Sequence, residues 1–578
     1  MNKVIFCFSL YISLFSLKAQ TVNVSIDASN VHQTIEGFGA TTQPLVYGTA
    51  DYLGASRPDV LDKLYNQVKL TMGNITTGNN EMDSSLTFGT SVNDDNDPFN
   101  YNWAGFNFKY SQNDTEFIIN PSIQYGFNNY MLQGNINTKW SCQWMNALRT
   151  SNYNQYLDEC AEHVIAIHKY WRDNFGIIQP YAFLFNEPLT GNQELTSGGT
   201  VQEVVDIIKR VGDRFRAEGF DSIMLVAPNE ETITQTIADV TAILADSVAR
   251  SYVGAVGYHT YPYGSPYAGA GNILAQSGTG NPDANEINKR TTLKNMCSAY
   301  NIPVWFTEVC CGGLPLFSMD LARARAIHIH DEFLYADASA YFGMNAMWDY
   351  QSQLDHFGNA NSFYNEAEIV LIDSTGASFI TGEGYAIGHY ARWLKKGAKR
   401  IEATSTDSLV QISSFKDESS NTFTIVAINN NTSSKTVQFN FSGINLTGQV
   451  NGEQSYDTLR WEAITPVTSS SGGFAYTLEP NSVTSFSGSY SISTEISQAV
   501  KTSSLELYPN PANNTFVVKD NAKIFDLAIT DFAGRILFES KNVSSSIQVD
   551  AKYPSGVYFL KANYSDGHSL YKKLAVEN

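Results

Sequence analysis

The sequence is poor in charged residues, and most of all in basic ones. Asp, Glu, Lys and Arg make up 16% of the 578 residues, and 37 basic residues stand against 57 acidic ones, for a formal net charge of −20. Soluble domains usually contain about 25% charged residues. Nucleic acids and anionic membranes attract cationic surfaces, so this balance argues against both as partners. The 43% of hydrophobic residues excludes a largely disordered chain.

Long apolar runs are also missing beyond the first twenty residues, so no membrane-spanning helix of about 20 apolar residues is expected. Those first residues have the parts of a secretion signal. Lys3 is basic, an apolar run extends over 4–17, and Ala19 is a small residue suited to cleavage. We predict a signal peptide at residues 1–20 and export of the mature chain.

Cysteine is scarce as well. Setting Cys7 of the signal aside, none of the others forms a Cys-x-x-Cys pair, which argues against a zinc ribbon or a dithiol redox motif. A disulfide framework is not expected from so few. The adjacent Cys310 and Cys311 allow a strained vicinal disulfide, and the alternative for all five is packing as buried thiols. The five are Cys142, Cys160, Cys297, Cys310 and Cys311.

Helix and strand patterns alternate from about residue 155 onward. Leu157, Val164 and Trp171 belong to a set of apolar residues at three- and four-residue spacing, which is typical of an amphipathic helix. Nearly continuous apolar strands between such helices indicate a parallel sheet covered on both faces. With room upstream for three more strands, we predict an α/β fold, an eight-stranded (β/α) barrel at 39–395. The predicted strands are 181–185, 223–226, 253–259, 303–307 and 343–348, and the helices are 201–218, 232–246, 285–300 and 319–337.

Both flanks of the barrel have alternating strand patterns broken by Asn, Ser and Gly. A strand at 21–38 and the segment 396–488 are expected to combine into a side β-sandwich. Residues 489–504 are rich in Ser and Thr and are predicted as a linker. A small all-β domain is expected at 505–578.

Two glutamates lie where predicted barrel strands end. Glu187 follows the strand 181–185, and Glu308 follows the strand 303–307. Functional residues of such barrels gather at the carboxyl ends of the strands. Two carboxyl groups facing one pocket suit cleavage of a glycosidic bond, in which a protonated one donates to the leaving oxygen while the other is ionised. Taken singly, each glutamate also fits an ordinary turn; their joint placement on the fourth and seventh strands favours catalysis.

Aromatic residues also cluster at the predicted strand ends. Their ring faces can stack on the C–H surfaces of sugars, although each ring taken alone is more typical of a packed core. The residues concerned are Trp140, Tyr258, Tyr261 and Trp348.

Several motifs together resemble glycoside hydrolase family 30, a clan A family of retaining β-glycosidases. In chain order they match the family's opening strand, its third-strand motif, the acid/base and nucleophile motifs, the return to the side sandwich and the final strand of that sandwich. They lie at 35–40, 140–145, 186–188, 305–308, 388–401 and 478–486.

The resemblance implies that Glu187 is the general acid/base and Glu308 the nucleophile of a double displacement, without metal or organic cofactor. The residues it implies in sugar binding are Asn186, Trp140, His259, Tyr261 and Trp348. The chain departs from the family at 72–76, where an Arg usual on the second strand is absent. The loop 349–368 also lacks the cationic side chain with which some members bind glucuronate on xylan.

The last domain resembles the C-terminal sorting domain of the type IX secretion system, through motifs at 507–512, 531–535, 555–560 and 572–574. This implies the type IX machinery as a partner, passage across the outer membrane, and removal of the tail before release or surface attachment. A small carbohydrate-binding sandwich is the alternative.

These observations predict a secreted or cell-surface monomer that hydrolyses a β-linked polysaccharide or oligosaccharide with retention, with a slight preference for β-1,6-galactan or β-1,6-glucan. Open alternatives are a xylanase of the same family, transglycosylation by the same carboxylates, and a non-catalytic glycan-binding surface protein. An aromatic-rich insertion between Gly73 and Trp140 either shapes the glycan cleft or forms a packed lid.

Overall fold

A computed structural model of the chain divides it into two units, one up to Ile492 and one from Ser493 onward. No helix in the part that it describes is long and apolar enough to cross a membrane. The described residues are 21–42, 54–77, 91–127, 129–134, 136–139, 142–190, 193–195, 198–261, 284–309, 314–349, 368–492, 505–520, 525–531, 535–564 and 569–577.

The first unit is built on a closed barrel of eight parallel strands, which confirms the predicted fold class. Strand β1 (Val22–Thr34) precedes the barrel, and β2 begins it two residues before the predicted boundary. The barrel closes where the first strand pairs with the last, with Gly39 beside Phe342. Its interior is filled by apolar side chains, Trp305 among them. The barrel strands are β2 (Gly37–Thr41), β3 (Met72–Thr77), β4 (Tyr130–Gly134), β5 (Tyr181–Phe183), β6 (Met224–Val226), β7 (Val253–Tyr258), β8 (Val304–Phe306) and β9 (Ala338–Asn345).

The eighth barrel strand does not lie where the sequence pattern placed it. The sequence pattern predicted this strand at 343–348, whereas the observed strand β9 begins at Ala338 and ends at Asn345. Residues beyond it form a separate small sheet of β10 (Met347–Asp349), β11 (Val370–Ile372) and β12 (Ser378–Ile380). One apolar run thus serves two sheets, and Trp348 belongs to the second, where it pairs with Leu371.

Helices cover the outside of the barrel, and local signals define their ends. Helix α5 begins where the Asn152 side chain accepts a hydrogen bond from Gln155 N, and it ends at Gly176, whose left-handed φ of 67° suits glycine. The helices are α1 (Arg57–Asp62), α2 (Lys109–Asp114), α3 (Asn120–Ile123), α4 (Met145–Ser151), α5 (Tyr153–Phe175), α6 (Val201–Ala217), α7 (Ile233–Ala245), α8 (Ser247–Tyr252), α9 (Ala284–Ser298), α10 (Met319–Tyr335) and α11 (Gly382–Ala391).

The insertion between β3 and β4 packs on the outside of the barrel. Phe108 stacks on Tyr170 of α5 with ring centroids 3.8 Å apart, and Phe106 stacks on Phe108 at 5.5 Å. Ala166 of α5 completes this cluster. These rings therefore hold the insertion against a helix, as in the packed alternative, rather than lining a cleft. Three predicted packing thiols are also buried in this unit: Cys142, Cys160 and Cys297. Cys310 and Cys311 lie outside the described residues.

The predicted side sandwich is a single ten-stranded sheet that encloses its own apolar core. Strand β1 pairs with β13 on one side and with β16 on the other. The last strand continues to Ile492 and pairs there with Ile444, so the linker predicted from residue 489 starts within this strand, and that boundary was wrong. The remaining strands are β13 (Lys399–Ser405), β14 (Val410–Asp417), β15 (Thr422–Asn429), β16 (Lys435–Ser442), β17 (Ile444–Tyr456), β18 (Leu459–Ala463), β19 (Val467–Thr468), β20 (Gly473–Leu478) and β21 (Ser482–Ile492).

The second unit consists of strands in two sheets around an apolar core that includes Phe516, Leu560 and Leu574. The first sheet has the order β22-β23-β26, and the second has the order β25-β24-β27-β28. Their bounds are β22 (Glu506–Tyr508), β23 (Thr515–Lys519), β24 (Phe525–Thr530), β25 (Ile536–Val543), β26 (Ser546–Asp550), β27 (Gly556–Tyr564) and β28 (Ser569–Val576).

Candidate active site

Glu187 lies just beyond the carboxyl end of β5, the fourth barrel strand. Its backbone has a left-handed φ of 55°, which costs a non-glycine residue roughly 1–2 kcal/mol. The backbone N–H of Glu187 donates to the carbonyl oxygen of Asn229 at 2.9 Å, which fixes this turn to the end of the fifth barrel strand. The residue is only 5% exposed.

Glu308 lies two residues beyond β8, the seventh barrel strand. The Tyr261 hydroxyl donates to Glu308 Oε1 at 3.1 Å, and Tyr261 is itself 2% exposed. The preceding residue, Thr307, donates through its hydroxyl to the side-chain oxygen of Asn229. Asn229 therefore connects the turns that carry the two glutamates.

His259, which follows the sixth barrel strand, lies between the two carboxyl groups. Its Nδ1 atom is 3.1 Å from Glu187 Oε1 and 3.9 Å from Glu308 Oε1. Burial lowers the pKa of His259, although the charges of Glu308 and Glu230 oppose the effect. The imidazole is therefore neutral near pH 7. In the hydrogen bond between Nδ1 and Glu187, the imidazole donates when it carries the proton on Nδ1, and a protonated Glu187 donates when it does not.

The two carboxyl groups face each other at short range. One ligand atom from each of Glu187, His259 and Glu308 lies within 4.8 Å of the other two. Retaining glycosidases have carboxyl groups about 5–5.5 Å apart, whereas inverting enzymes need about 6.5–9.5 Å. Two carboxylates and an imidazole are also a ligand set that a divalent metal accepts. The arrangement thus suits glycoside chemistry, with metal binding as the competing interpretation.

Asn186 is held by residues that the sequence analysis did not identify. Its side-chain oxygen accepts a hydrogen bond from Asn229 Nδ2 at 3.2 Å, so its amide N–H groups are the part that can donate to a sugar hydroxyl. Its backbone N–H donates to Glu194 Oε2 at 2.7 Å, and Glu194 Oε1 accepts from Asn137 Nδ2 at 3.1 Å. Burial raises the pKa of Glu194 well above its usual range, and the charges of Glu187 and Glu308 add to this effect.

The turn that follows Glu187 is fixed by Glu230. The backbone N–H groups of Leu189 and Thr190 donate to the two carboxylate oxygens of Glu230 at 2.8 and 3.1 Å, and the Thr190 hydroxyl donates as well. Burial, together with the adjacent Glu230, raises the pKa of Asp239 to about 8. This shift favours the protonated form of Asp239.

The predicted aromatic residues do not all reach this site. Tyr258 donates its hydroxyl to Glu332 of α10, so it belongs to the layer between barrel and helices. Trp348 is 4% exposed on β10, directly after the carboxyl end of the last barrel strand. Trp140 lies outside the described residues. The structure thus brings Glu187, His259, Tyr261 and Glu308 together, with Asn186 adjacent.

Two of the missed residues did carry a signal. Asn229 and Glu230 come three and four residues after a short, mostly buried strand, a spacing close to that of Glu187 and Glu308 from theirs. The rule that selected the glutamates at strand ends therefore also selects Glu230. Glu194, in contrast, lies in a loop and has no periodic or positional signal.

Comparisons with known proteins agree with the two-unit organisation. Residues 506–577 match the family model of the secretion system C-terminal sorting domain. The protein therefore carries a sorting domain for type IX secretion and is exported to the cell surface or the medium. No curated protein sequence matches the chain significantly.

Solved structures similar to the chain share the fold of its first unit. A family 30 glycoside hydrolase endoxylanase from Clostridium papyrosolvens aligns with a TM-score of 0.56 at 18% identity, covering 81% of this chain and 100% of the other. An endo-β-1,6-glucanase aligns with a TM-score of 0.56 at 17% identity, covering 82% and 96%. A conserved exported protein from Bacteroides fragilis aligns with a TM-score of 0.59 at 14% identity, covering 80% and 99%. At these identities the similarity establishes the barrel with its side sheet.

Proposed function

We propose that this exported chain is a retaining β-glycosidase that acts by double displacement. The observation that carries the proposal is the facing pair Glu187 and Glu308, whose closest oxygens lie within 4.8 Å, at the carboxyl ends of the fourth and seventh strands. Similar solved structures include glycoside hydrolases with the same barrel and side sheet, which supports this chemistry without identifying a substrate.

In the first step Glu308 attacks the anomeric carbon and Glu187 donates its proton to the leaving oxygen. A glycosyl–enzyme ester forms as the glycosidic bond breaks. The Tyr261 hydroxyl at 3.1 Å favours the ionised form of Glu308 before the attack. Neutral His259 can donate from Nδ1 to Glu187 once that carboxyl has lost its proton.

In the second step Glu187 removes a proton from water, which attacks the anomeric carbon and releases Glu308. The configuration of the sugar is retained because two inversions occur. A sugar hydroxyl in place of water gives transglycosylation through the same residues. The anomer that forms first, observed by proton NMR, tests retention, and a β product is expected.

The charge around the site favours a glycan without acidic groups. Apart from the insertion that packs on α5, the connections that leave the carboxyl ends of the barrel strands contain twelve Asp and Glu residues, and Lys139 is their one basic residue. Such a field repels uronic acids and sulfate esters. We therefore propose a neutral β-glycan, with β-1,6-galactan or β-1,6-glucan ahead of xylan. The connections counted are 42–56, 135–144, 184–200, 227–232, 259–283, 307–318 and 346–381.

Product analysis on a panel of glycans tests the proposal. The panel contains β-1,6-galactan, β-1,6-glucan, xylan with and without glucuronate, and aryl β-glycosides. For Glu308→Ala we expect at least about a 1,000-fold loss of turnover, and for Glu187→Ala about 100- to 10,000-fold. Glu462→Ala, which changes an exposed glutamate on β18, is the control and should retain full activity.

Two outcomes would contradict the proposal. If no glycan is cleaved while Glu308→Ala still binds glycans like the wild type, the chain is a glycan-binding protein. The second outcome is that a chelator abolishes turnover without unfolding the protein, and that a divalent metal restores it. Glu187, His259 and Glu308 would then form a metal site instead.

A further inference from the structure

A second group of acidic side chains is buried between the β3–β4 insertion and helix α5, away from the two catalytic candidates. Glu159 and Glu162 lie one turn apart on α5 and are 0% and 1% exposed. Asn93 and Asp94 of the insertion lie next to them, and Asn93 Nδ2 is 3.4 Å from Glu159 Oε1. Buried carboxylates of this kind require a partner, because an isolated buried charge is very costly.

The described hydrogen bonds do not supply that partner. Gln155 and Asn93 donate to Glu159 Oε1, and the backbone N–H of Asn102 donates to Asp94 Oδ2. Five buried oxygens have no hydrogen-bond donor: Asn93 Oδ1, Asp94 Oδ1, Glu159 Oε2 and both carboxylate oxygens of Glu162.

The basic residue that acts on this group is engaged elsewhere. Arg214 donates to Glu218, to the carbonyl oxygen of Pro98 and to the Tyr101 hydroxyl, and among the described residues no Lys or Arg pairs with Asp94, Glu159 or Glu162. Burial and the neighbouring carboxylates raise the pKa of Glu162 to about 9. This is the response expected of acids that lack a counter-charge.

Two arrangements can neutralise such a group. Glu162 can keep its proton and share it with Glu159, or a cation can bind between them. Sharing one proton pairs an oxygen of Glu162 with one of Glu159 and so engages two of the five oxygens at most. It leaves the second Glu162 oxygen, Asn93 and Asp94 as they are, whereas a cation can bind these as well.

We propose that Asn93, Asp94, Glu159 and Glu162 bind one calcium ion, which fastens the insertion to helix α5. The donors are all oxygens, from carboxylates and an amide, and one carboxylate offers both oxygens, which is the set that Ca²⁺ takes in six- to eightfold coordination. Zinc would call for nitrogen or sulfur ligands, and Mg²⁺ keeps more of its water. The proposal does not depend on the enzyme activity.

Binding requires a small closure of the insertion. The three acids do not all bring an oxygen within 4.8 Å of one another, since Glu187, His259 and Glu308 form the one described set that does. Two ligands of one calcium ion are at most about 5 Å apart, twice the Ca–O distance of about 2.3–2.6 Å. We therefore expect Asp94 to move toward α5 when the ion binds. The cation attracts the Asp94 carboxylate, which the carboxylates of Glu159 and Glu162 repel when no ion is bound.

Thermal unfolding of the full chain tests this site. Protein stripped with a chelator is titrated with CaCl₂, and equilibrium dialysis with ⁴⁵Ca counts bound ions. For the wild type we expect saturable binding and a rise of roughly 3–5 °C in Tm at a hundredfold excess over Kd. Glu162→Gln should lose one bound ion per chain and most of the shift, while folding as well as the stripped wild type because repulsion is removed.

Asp97→Asn is the matched control. Asp97 is an exposed acid of the same insertion whose Oδ1 accepts a hydrogen bond from Phe99 N, and asparagine keeps that oxygen. It should respond to calcium like the wild type. The proposal is overturned if calcium leaves the wild-type Tm unchanged, or if Glu162→Gln binds as many ions as the wild type; a shared proton is then the correct arrangement.

Discussion

Replacing Tyr261 by Phe should change how the enzyme responds to acid. The substitution removes the hydroxyl that donates to Glu308 Oε1 at 3.1 Å and leaves the ring, which is 2% exposed, in place. A hydrogen bond to a charged group contributes about 1.5–3 kcal/mol, and 1.36 kcal/mol corresponds to one pH unit. Because this bond favours the ionised carboxylate, its loss raises the pKa of Glu308. The acid limb of kcat/KM should therefore move upward by about one to two pH units.

The assay is a pH profile of kcat/KM on the best substrate of the panel, for wild type, Tyr261→Phe and Tyr258→Phe. Tyr258 is a matched control because it is equally buried and its hydroxyl donates to a different acid, Glu332. Tyr258→Phe should lower stability and leave the acid limb in place. An unchanged limb in Tyr261→Phe, or an equal shift in both variants, would refute the role assigned to the hydroxyl.

Two further predictions concern stability. Gly388→Ala should lower the free energy of unfolding of the first unit by about 1–3 kcal/mol, since a Cβ there would lie 2.0 Å from the Trp461 ring. Gly472→Ala is the control, because a Cβ there would have no atom within 4 Å, and urea unfolding should show no change in its stability. Burial lowers the pKa of His168 to about 3 from an unfolded value near 6.5, so between these values only the unfolded chain binds that proton. The contribution of neutral His168 to the free energy of unfolding is complete above pH 6.5 and is lost as the pH falls, by up to about 1.4 kcal/mol per pH unit. In His168→Leu, the free energy of unfolding in urea should therefore fall less steeply between pH 7 and 5, by up to that value per pH unit. A fall as steep as that of the wild type would contradict the assignment.

The barrel could be predicted because its parts have simple periodicities. Strands such as Val304–Phe306 are buried on both faces, and helices such as Val201–Ala217 have one apolar side, so each leaves a distinct pattern. The eighth strand was misplaced because β9 and β10 are separated by a single residue, Ala346. No periodicity marks the point at which an apolar run leaves one sheet and joins another.

The site could be predicted only in part. Glu187 and Glu308 could be predicted to lie together because strand ends converge in a closed barrel, whichever residues lie between them in sequence. Glu230 also follows the end of a barrel strand, but its side chain accepts hydrogen bonds from the backbone of the turn that carries Glu187. The direction of the side chain separates this role from that of Glu187 and Glu308, and the sequence pattern does not reveal that direction. Glu194 reaches the site through a loop, where spacing has no fixed relation to position.

The pairing of β1 makes the order of synthesis matter for this fold. Residues 22–27 lie in the interior of the side sheet, beside 402–405 on one edge and 437–442 on the other. Both neighbours are made only after the whole barrel segment, so Val22, Val24 and Ile26 have no sheet to join while most of the chain is produced. Contacts so distant in sequence form slowly. The side sheet can therefore form only late, once residues 22–34, 399–405 and 437–442 have all been synthesised.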